Sequence, residues 1–157
     1  LSHRDTWDCA LMWAQSDQVP LAAVEEEYSL LCSSPLLDRA RYNGFGFLAH
    51  SPLAGGVLTG KYRHTTPPDS RAASAHLRSS VAPYLESSLP IVEALSQAAH
   101  GLECSITDVA LAWVEGTPGV TSAIIGPRNL VQLEQILNGR IELPLPIRQV
   151  LSEVSAK

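Results

Sequence analysis

Helical and extended patterns alternate along this chain, and that alternation narrows the possible folds more than any other property of the sequence. Trp7, Ala10, Leu11 and Ala14 form an i, i+3, i+4, i+7 stripe in a helix predicted from Thr6 to Ser16, with Ser2 and Asp5 available as caps. Beyond Pro20, a predicted strand starts at Leu21 and reaches Tyr28 through Glu25, Glu26 and Glu27. A short helix over Pro35–Arg41 precedes the apolar run Phe45–Ala49, which is bounded by Asn43-Gly44 and Ser51-Pro52 as a buried strand should be. Residues 63–80 are polar and rich in Pro, Ser, His and Arg, and read as a long loop. A helix follows from Pro83 to His100, with Leu89, Ile91, Val92, Leu95 and Ala98 on one side and Pro90 as a kink. Ser105 to Asp108 forms a capping box for a helix over Val109–Glu115. The strand Val120–Ile125 comes next, then a helix capped by Asn129 with Gln132 and running through Leu137. Gly139 is predicted to close it in the left-handed conformation, and a last helix spans Pro146–Val154. This order of elements implies a parallel sheet with right-handed crossovers. In such a sheet ligands bind at the carboxyl ends of the strands, where the glutamates of the first strand are expected.

Two of the three strands end in turns suited to an anion. The central strand opens into Ser51-Pro52-Leu53-Ala54-Gly55-Gly56 and then Thr59-Gly60-Lys61-Tyr62. Glycines let backbone N–H groups approach a phosphate, and Lys61 supplies a point charge. Gly-rich turns of this kind also arise from packing alone. The last strand ends in Gly126-Pro127-Arg128. Two such turns on strand tips near a helix N-terminus are similar to the phosphate site of a (β/α)8 barrel. That fold typically takes about 250 residues. With three strands, the chain reads as the C-terminal part of such a barrel, an α/β fold with the barrel incomplete. The start on Leu1, without an initiator methionine, likewise predicts a piece of something longer.

Composition removes several alternatives. The 157 residues are 45% hydrophobic and carry a formal charge of -5, which suits one globular domain with its own core and argues against nucleic acid as a partner. No apolar run reaches the roughly 18 residues of a membrane span. Cys9, Cys32 and Cys104 show no metal or disulfide spacing, which fits a reducing, cytoplasmic setting in which the sulfurs pack. The scattered histidines predict no metal site.

The run His50 to Gly56, continued by Thr59-Gly60-Lys61-Tyr62 and Ser70-Arg71, resembles the aldo-keto reductases. Glu27-Tyr28-Ser29-Leu30-Leu31 and the segment 119–133 are similar to the same family, in the branch that includes potassium-channel β subunits. The resemblance covers essentially residues 1–157, as the C-terminal portion of the family's domain. It implies NADP(H) as cofactor and, for the complete protein, a small carbonyl substrate, an aldehyde or ketone. By motif, Ser51, Pro52, Leu53, Ala54 and Gly55 would line the pyrophosphate, and Lys61 and Arg71 would approach phosphates. Gly126 and Arg128 would lie by the adenosine 2′-phosphate, where a guanidinium fork prefers NADP to NAD. Gln132 and Gln135 would face the adenine, and Ser2 the nicotinamide carboxamide.

Four positions depart from the family's pattern. His3 stands where it has Asn, Glu25 where it has Gln, His50 where an aromatic ring stacks on the nicotinamide, and Ile136 where an Asn contacts adenine. The family's catalytic Asp, Tyr, Lys and His have no matching positions, and Tyr28 and Tyr42 read as structural. The chain is therefore expected to supply cofactor binding without the proton donor that stabilises an alkoxide. The other reading is a non-catalytic module for nucleotide binding or subunit interaction. Unpaired strands at either side of the sheet also predict self-association through open edges.

Overall fold

The computed structural model describes residues 21–156 together with residues 8, 9 and 12. The predicted Thr6–Ser16 helix with its caps Ser2 and Asp5, and the family positions Ser2 and His3, lie outside the described residues, although Asp8, Cys9 and Met12 are helical. The described residues form three parallel strands, β1 (Ala23–Glu27), β2 (Gly46–His50) and β3 (Val120–Ile124), in the order β1-β2-β3. The α/β reading with a parallel sheet holds. Helix α1 (Leu36–Asn43) makes the β1–β2 crossover and ends on Gly44, whose φ of 75° is left-handed. The β2–β3 crossover carries a 3-10 turn (Ala54–Thr59), α2 (Arg78–Ser87), α3 (Leu89–Gly101) and α4 (Ile106–Glu115). After β3 come α5 (Leu130–Asn138) and α6 (Leu145–Ser155).

Central strand β2 buries Phe47 and Ala49 completely, in one core cluster with Val92, Leu95, Val109 and Val114 of the crossover helices. Tyr28, just past β1, stacks on Trp113 of α4 with ring centroids 5.6 Å apart and meets Phe47 edge-on at 5.9 Å. Tyr28 is thus a core residue, while Tyr42 is 91% exposed. On α4 the expected face, Val109, Leu111, Ala112 and Trp113, is buried.

Two expectations are corrected. The predicted single helix over Pro83–His100 is two helices, and the first begins at Arg78, inside the expected loop. The break falls at Ser88, whose hydroxyl donates to the Leu85 carbonyl oxygen. Pro90 has no N–H to continue the ladder, so it starts α3 in the first turn instead of kinking a longer helix. Gly139 does not close α5 in the left-handed region, since its φ is -89°. A Cβ there would instead overlap the Asp108 carboxylate. Glycine serves close approach at that point. The remaining boundaries shift by one to three residues at element ends, where caps and long-range pairing decide.

The β2–β3 register sets how the two strand tips meet. Phe47 pairs with Val120 but Leu48 with Ser122, so Thr121 is an extra residue on β3. Its Oγ1 accepts from Phe47 N at 3.1 Å, which satisfies the donor the irregularity would leave open.

Candidate functional site: a cavity between two strand tips

At the carboxyl end of β2 the backbone bends sharply. Ser51 (φ 51°) and Ala54 (φ 46°) take left-handed conformations despite carrying a Cβ, and Gly55 and Gly56 follow at φ 65° and 96°. Each non-glycine residue in that region costs about 1–2 kcal/mol, so the surrounding contacts must hold the turn. They include Ala54 N donating to Ser51 O at 2.8 Å, Gly56 N to Leu53 O at 2.9 Å, and the Thr59 hydroxyl to Gly56 O at 2.8 Å. Ala54, Val57 and Leu58 are fully buried beneath it. Gly55 sits where a Cβ would come within 2.5 Å of Val81 Cγ1, so the turn packs directly on α2.

Lys61 follows, its Nζ 5.1 Å from the Tyr62 ring centroid. The Tyr62 hydroxyl accepts from Ala72 N at 3.3 Å and holds the segment carrying Arg71 against the turn. Arg63 ties the start of that segment to α3 through Ser96 Oγ at 2.9 Å and Glu93 at 2.6 Å.

The β3 tip is shaped by its own cap. Asn129 Oδ1 accepts from Gln132 N at 2.9 Å, while Gln132 Oε1 accepts from Arg128 N at 2.8 Å. This double tie fixes Gly126-Pro127-Arg128 relative to α5. Across from it, α4 opens with a reciprocal box: Ser105 Oγ accepts from Asp108 N at 3.1 Å, and Asp108 Oδ2 accepts from Ser105 N at 2.9 Å.

These pieces enclose one cavity of about 630 Å³, within the range of small-molecule sites. From the β2 tip it is lined by His50, Ser51, Pro52, Leu53 and Gly55, and from the segment beyond by Lys61 and Arg71. Gly126 and Arg128 line it from the β3 tip, and Gln132 and Gln135 from α5. Ala54 is buried under the turn and does not reach it. Glu25 is exposed on β1, outside the lining. Its neighbours are engaged elsewhere, Glu26 by the Ser34 hydroxyl and Glu27 by the Tyr84 hydroxyl at 2.6 Å. Ser2 lies outside the described residues.

The cavity carries three cations on its walls, Lys61, Arg71 and Arg128. Among the described residues these three form no ion pair, whereas Arg63 and Arg140 do. Unneutralised cations beside a tight Gly-rich bend are the donor set a phosphate ester requires. His50 adds an exposed ring whose Nε2 is 3.4 Å from Ser51 Oγ. Burial and the charges of Glu27 and Glu26 push the Cys32 thiol up, which disfavours the nucleophilic thiolate. Among the described residues no cluster could hold a metal. None of the described helices is long and apolar enough to cross a membrane.

Sequence reasoning missed part of the wall: Thr59, Ser105, Thr107, Asp108, Asn138 and Gly139. The capping box was visible, but its exposure to a cavity follows from how α4 packs against the 3-10 turn and β3. No local signal carries that.

The sequence profile of the Aldo/keto reductase family matches residues 1–152. An L-glyceraldehyde 3-phosphate reductase of Escherichia coli (strain K12) is 34% identical over 125 residues, covering 75% of this chain and 36% of that protein. An uncharacterized oxidoreductase, YrpG, of Bacillus subtilis (strain 168) is 33% identical over 138 residues, 85% of this chain and 40% of its own length. A probable voltage-gated potassium channel subunit beta of Oryza sativa subsp. japonica is 31% identical over 153 residues, 92% of this chain and 47% of its own. The chain spans 36% to 47% of the length of these curated relatives.

Proposed function

Because the chain belongs to the aldo/keto reductase family, we propose that its cavity binds NADP(H). The observation that carries this reading is the meeting of two strand tips, Ser51–Gly56 and Gly126–Arg128, around one cavity with three cations that form no ion pair among the described residues. Ser51, Pro52, Leu53 and Gly55 would hold the pyrophosphate, with Lys61 and Arg71 neutralising it. Arg128 and Gly126 would take the 2′-phosphate, Gln132 and Gln135 the adenine end, and His50 the nicotinamide face. Ala54 would shape the turn from below. Glu25 and Ser2 would act at the nicotinamide end.

NADPH bound there would supply hydride for an aldehyde or ketone in a complete protein of this family, and this chain's residues would bind and orient that cofactor. The proton donor and its partners find no match in these 157 residues. We therefore assign the chain cofactor binding and assign carbonyl reduction to the whole protein. The three parallel strands would be three of the eight in a (β/α)8 barrel. Three free cysteines fit a reducing, cytoplasmic setting.

A second reading, a non-catalytic nucleotide-binding or subunit-interaction module, draws on the channel-subunit names of two plant relatives. It also draws on α5, which buries no residue and leaves Leu130, Val131 and Leu137 exposed. Fluorescence titration of the purified chain with NADPH tests cofactor binding in either reading. Saturable enhancement of the nicotinamide emission is expected, and a flat titration overturns it. Carbonyl turnover by the complete protein then separates enzyme from module.

A further inference from the structure

The cavity has an acidic end that the phosphate-binding reading does not use. Asp108 lines it together with Asn138 and with Gly139, which it packs against. Its Oδ2 accepts from Ser105 N at 2.9 Å, and the side chain makes no other hydrogen bond among the described residues. Gly139 is what admits it, because any Cβ there would overlap the carboxylate. Ile136, Asp108 and Gly139 also share a small neighbouring recess, so an apolar side chain belongs to the same part of the wall.

We propose that Asp108 is a specificity residue that accepts a hydrogen bond from the exocyclic amine of the adenine base. The proposal rests on the NADP(H) reading of the cavity. A carboxylate is acceptor-only and repels phosphate, which places the ligand's anionic groups beside Lys61, Arg71 and Arg128. The wall at Asp108 must therefore receive a donor. A flat base resting on Ile136 can present its amine edge to Asp108. A base with a carbonyl at that position would face acceptor with acceptor and leave both unpaired. Capping α4 uses Oδ2 alone, and Oδ1, lying against Gly139 at the cavity wall, accepts from no donor among the described residues.

NADPH and its hypoxanthine analogue differ only on that edge of the base, where the amine becomes a carbonyl and N1 gains a proton, and they share the fluorescent dihydronicotinamide. Titrating the chain with each is expected to show NADPH bound about tenfold more tightly. Asp108→Asn keeps an oxygen for Ser105 N and adds an NH₂ group, so the preference should fall to one or reverse. Equal affinities of the unmodified chain for the two cofactors overturn the proposal. So does an Asp108→Asn variant that weakens both by the same factor, which a purely capping role predicts. If neither cofactor binds saturably, the NADP(H) reading fails and this assignment falls with it.

Discussion

The ammonium of Lys61 packs over the bare Cα of Gly56: a Cβ added there would stand 2.6 Å from Nζ and 3.0 Å from Cε. Gly56 also sits at φ 96°, a conformation L side chains rarely adopt. Gly56→Ala should therefore lower stability by about 1–2 kcal/mol and push Lys61 away from the cavity. The expected result is a reduced melting temperature with severalfold weaker NADPH binding. Unchanged affinity would show that the placement of Lys61 does not matter.

Arg128 has no carboxylate partner among the described residues, so its guanidinium is available to a dianionic ester. Arg128→Ala should weaken NADPH binding by about tenfold or more while leaving NADH nearly unchanged, since only NADPH carries the 2′-phosphate. Parallel titrations of the two cofactors make the comparison. Equal losses would remove Arg128 from the 2′-phosphate role.

On the opposite side of α4, Arg148 of α6 closes the helix's open end, donating to Ala112 O at 2.6 Å and Trp113 O at 2.7 Å. Burial lowers its pKa, but a guanidinium stays charged at any ordinary pH. Arg148→Ala should cost about 1–2 kcal/mol by removing these two charge-assisted bonds, although Ala112 O keeps Gly116 N and Trp113 O keeps the Thr117 hydroxyl as donors. Gly116→Ala should cost a similar amount, because its Cβ would overlap the same guanidinium. The double variant should melt close to either single one, since both remove one contact. Additive losses would mean that the two residues act separately.

Tyr84 donates to Glu27 Oε1 at 2.6 Å and so fastens α2 to the tip of β1. Burial first, then this hydrogen bond and the charge of Glu27, push its phenol upward. Tyr28 is also raised, by burial. A phenol whose folded pKa lies above its unfolded value contributes stability that is fully present below about pH 10 and is lost as pH rises beyond it. Alkaline unfolding should therefore steepen above about pH 10. Tyr84→Phe should be less stable at neutral pH yet lose less in that alkaline interval. A variant whose stability falls in parallel with the parent would rule out the titration of Tyr84 as a cause.

Among the described residues β1 and β3 each pair on one side only. Unpaired strand edges recruit other strands, and Val131 and Leu137 add exposed apolar surface on α5. Sedimentation velocity of the isolated chain should show association that grows with concentration. A sharp cooperative melt from a strictly monomeric species would contradict this. The melts proposed above are best compared at one protein concentration.

Strands β2 and β3 were legible because they are short apolar runs closed by Ser-Pro or Gly-Pro, and β1 because an apolar start after Pro20 runs into a polar end. The caps of α4 and α5 were legible because Ser105 with Asp108, and Asn129 with Gln132, are local devices. The split at Ser88 was not, since the apolar stripe from Leu89 to Ala98 continues a helical period and hides where the hydrogen-bond ladder stops. Gly139 was read as a conformational residue because sequence alone cannot distinguish a need for positive φ from a need for empty space. The place of Asp108 in the cavity wall depends on tertiary packing, and so does the isolation of Glu25 from it.

The extra residue at Thr121 acts as a phase adjuster for the whole ligand-facing rim. Side chains alternate every second residue along a strand, so one residue absorbed between Val120 and Ser122 exchanges the faces of everything after it. With the ladder regular, His50 would sit opposite Ala123 instead of Ile124, and the Gly-Pro-Arg tip would begin one step farther along. A single codon gained or lost in that short interval is thus enough to retime one wall against the other, without altering any residue that lines the cavity.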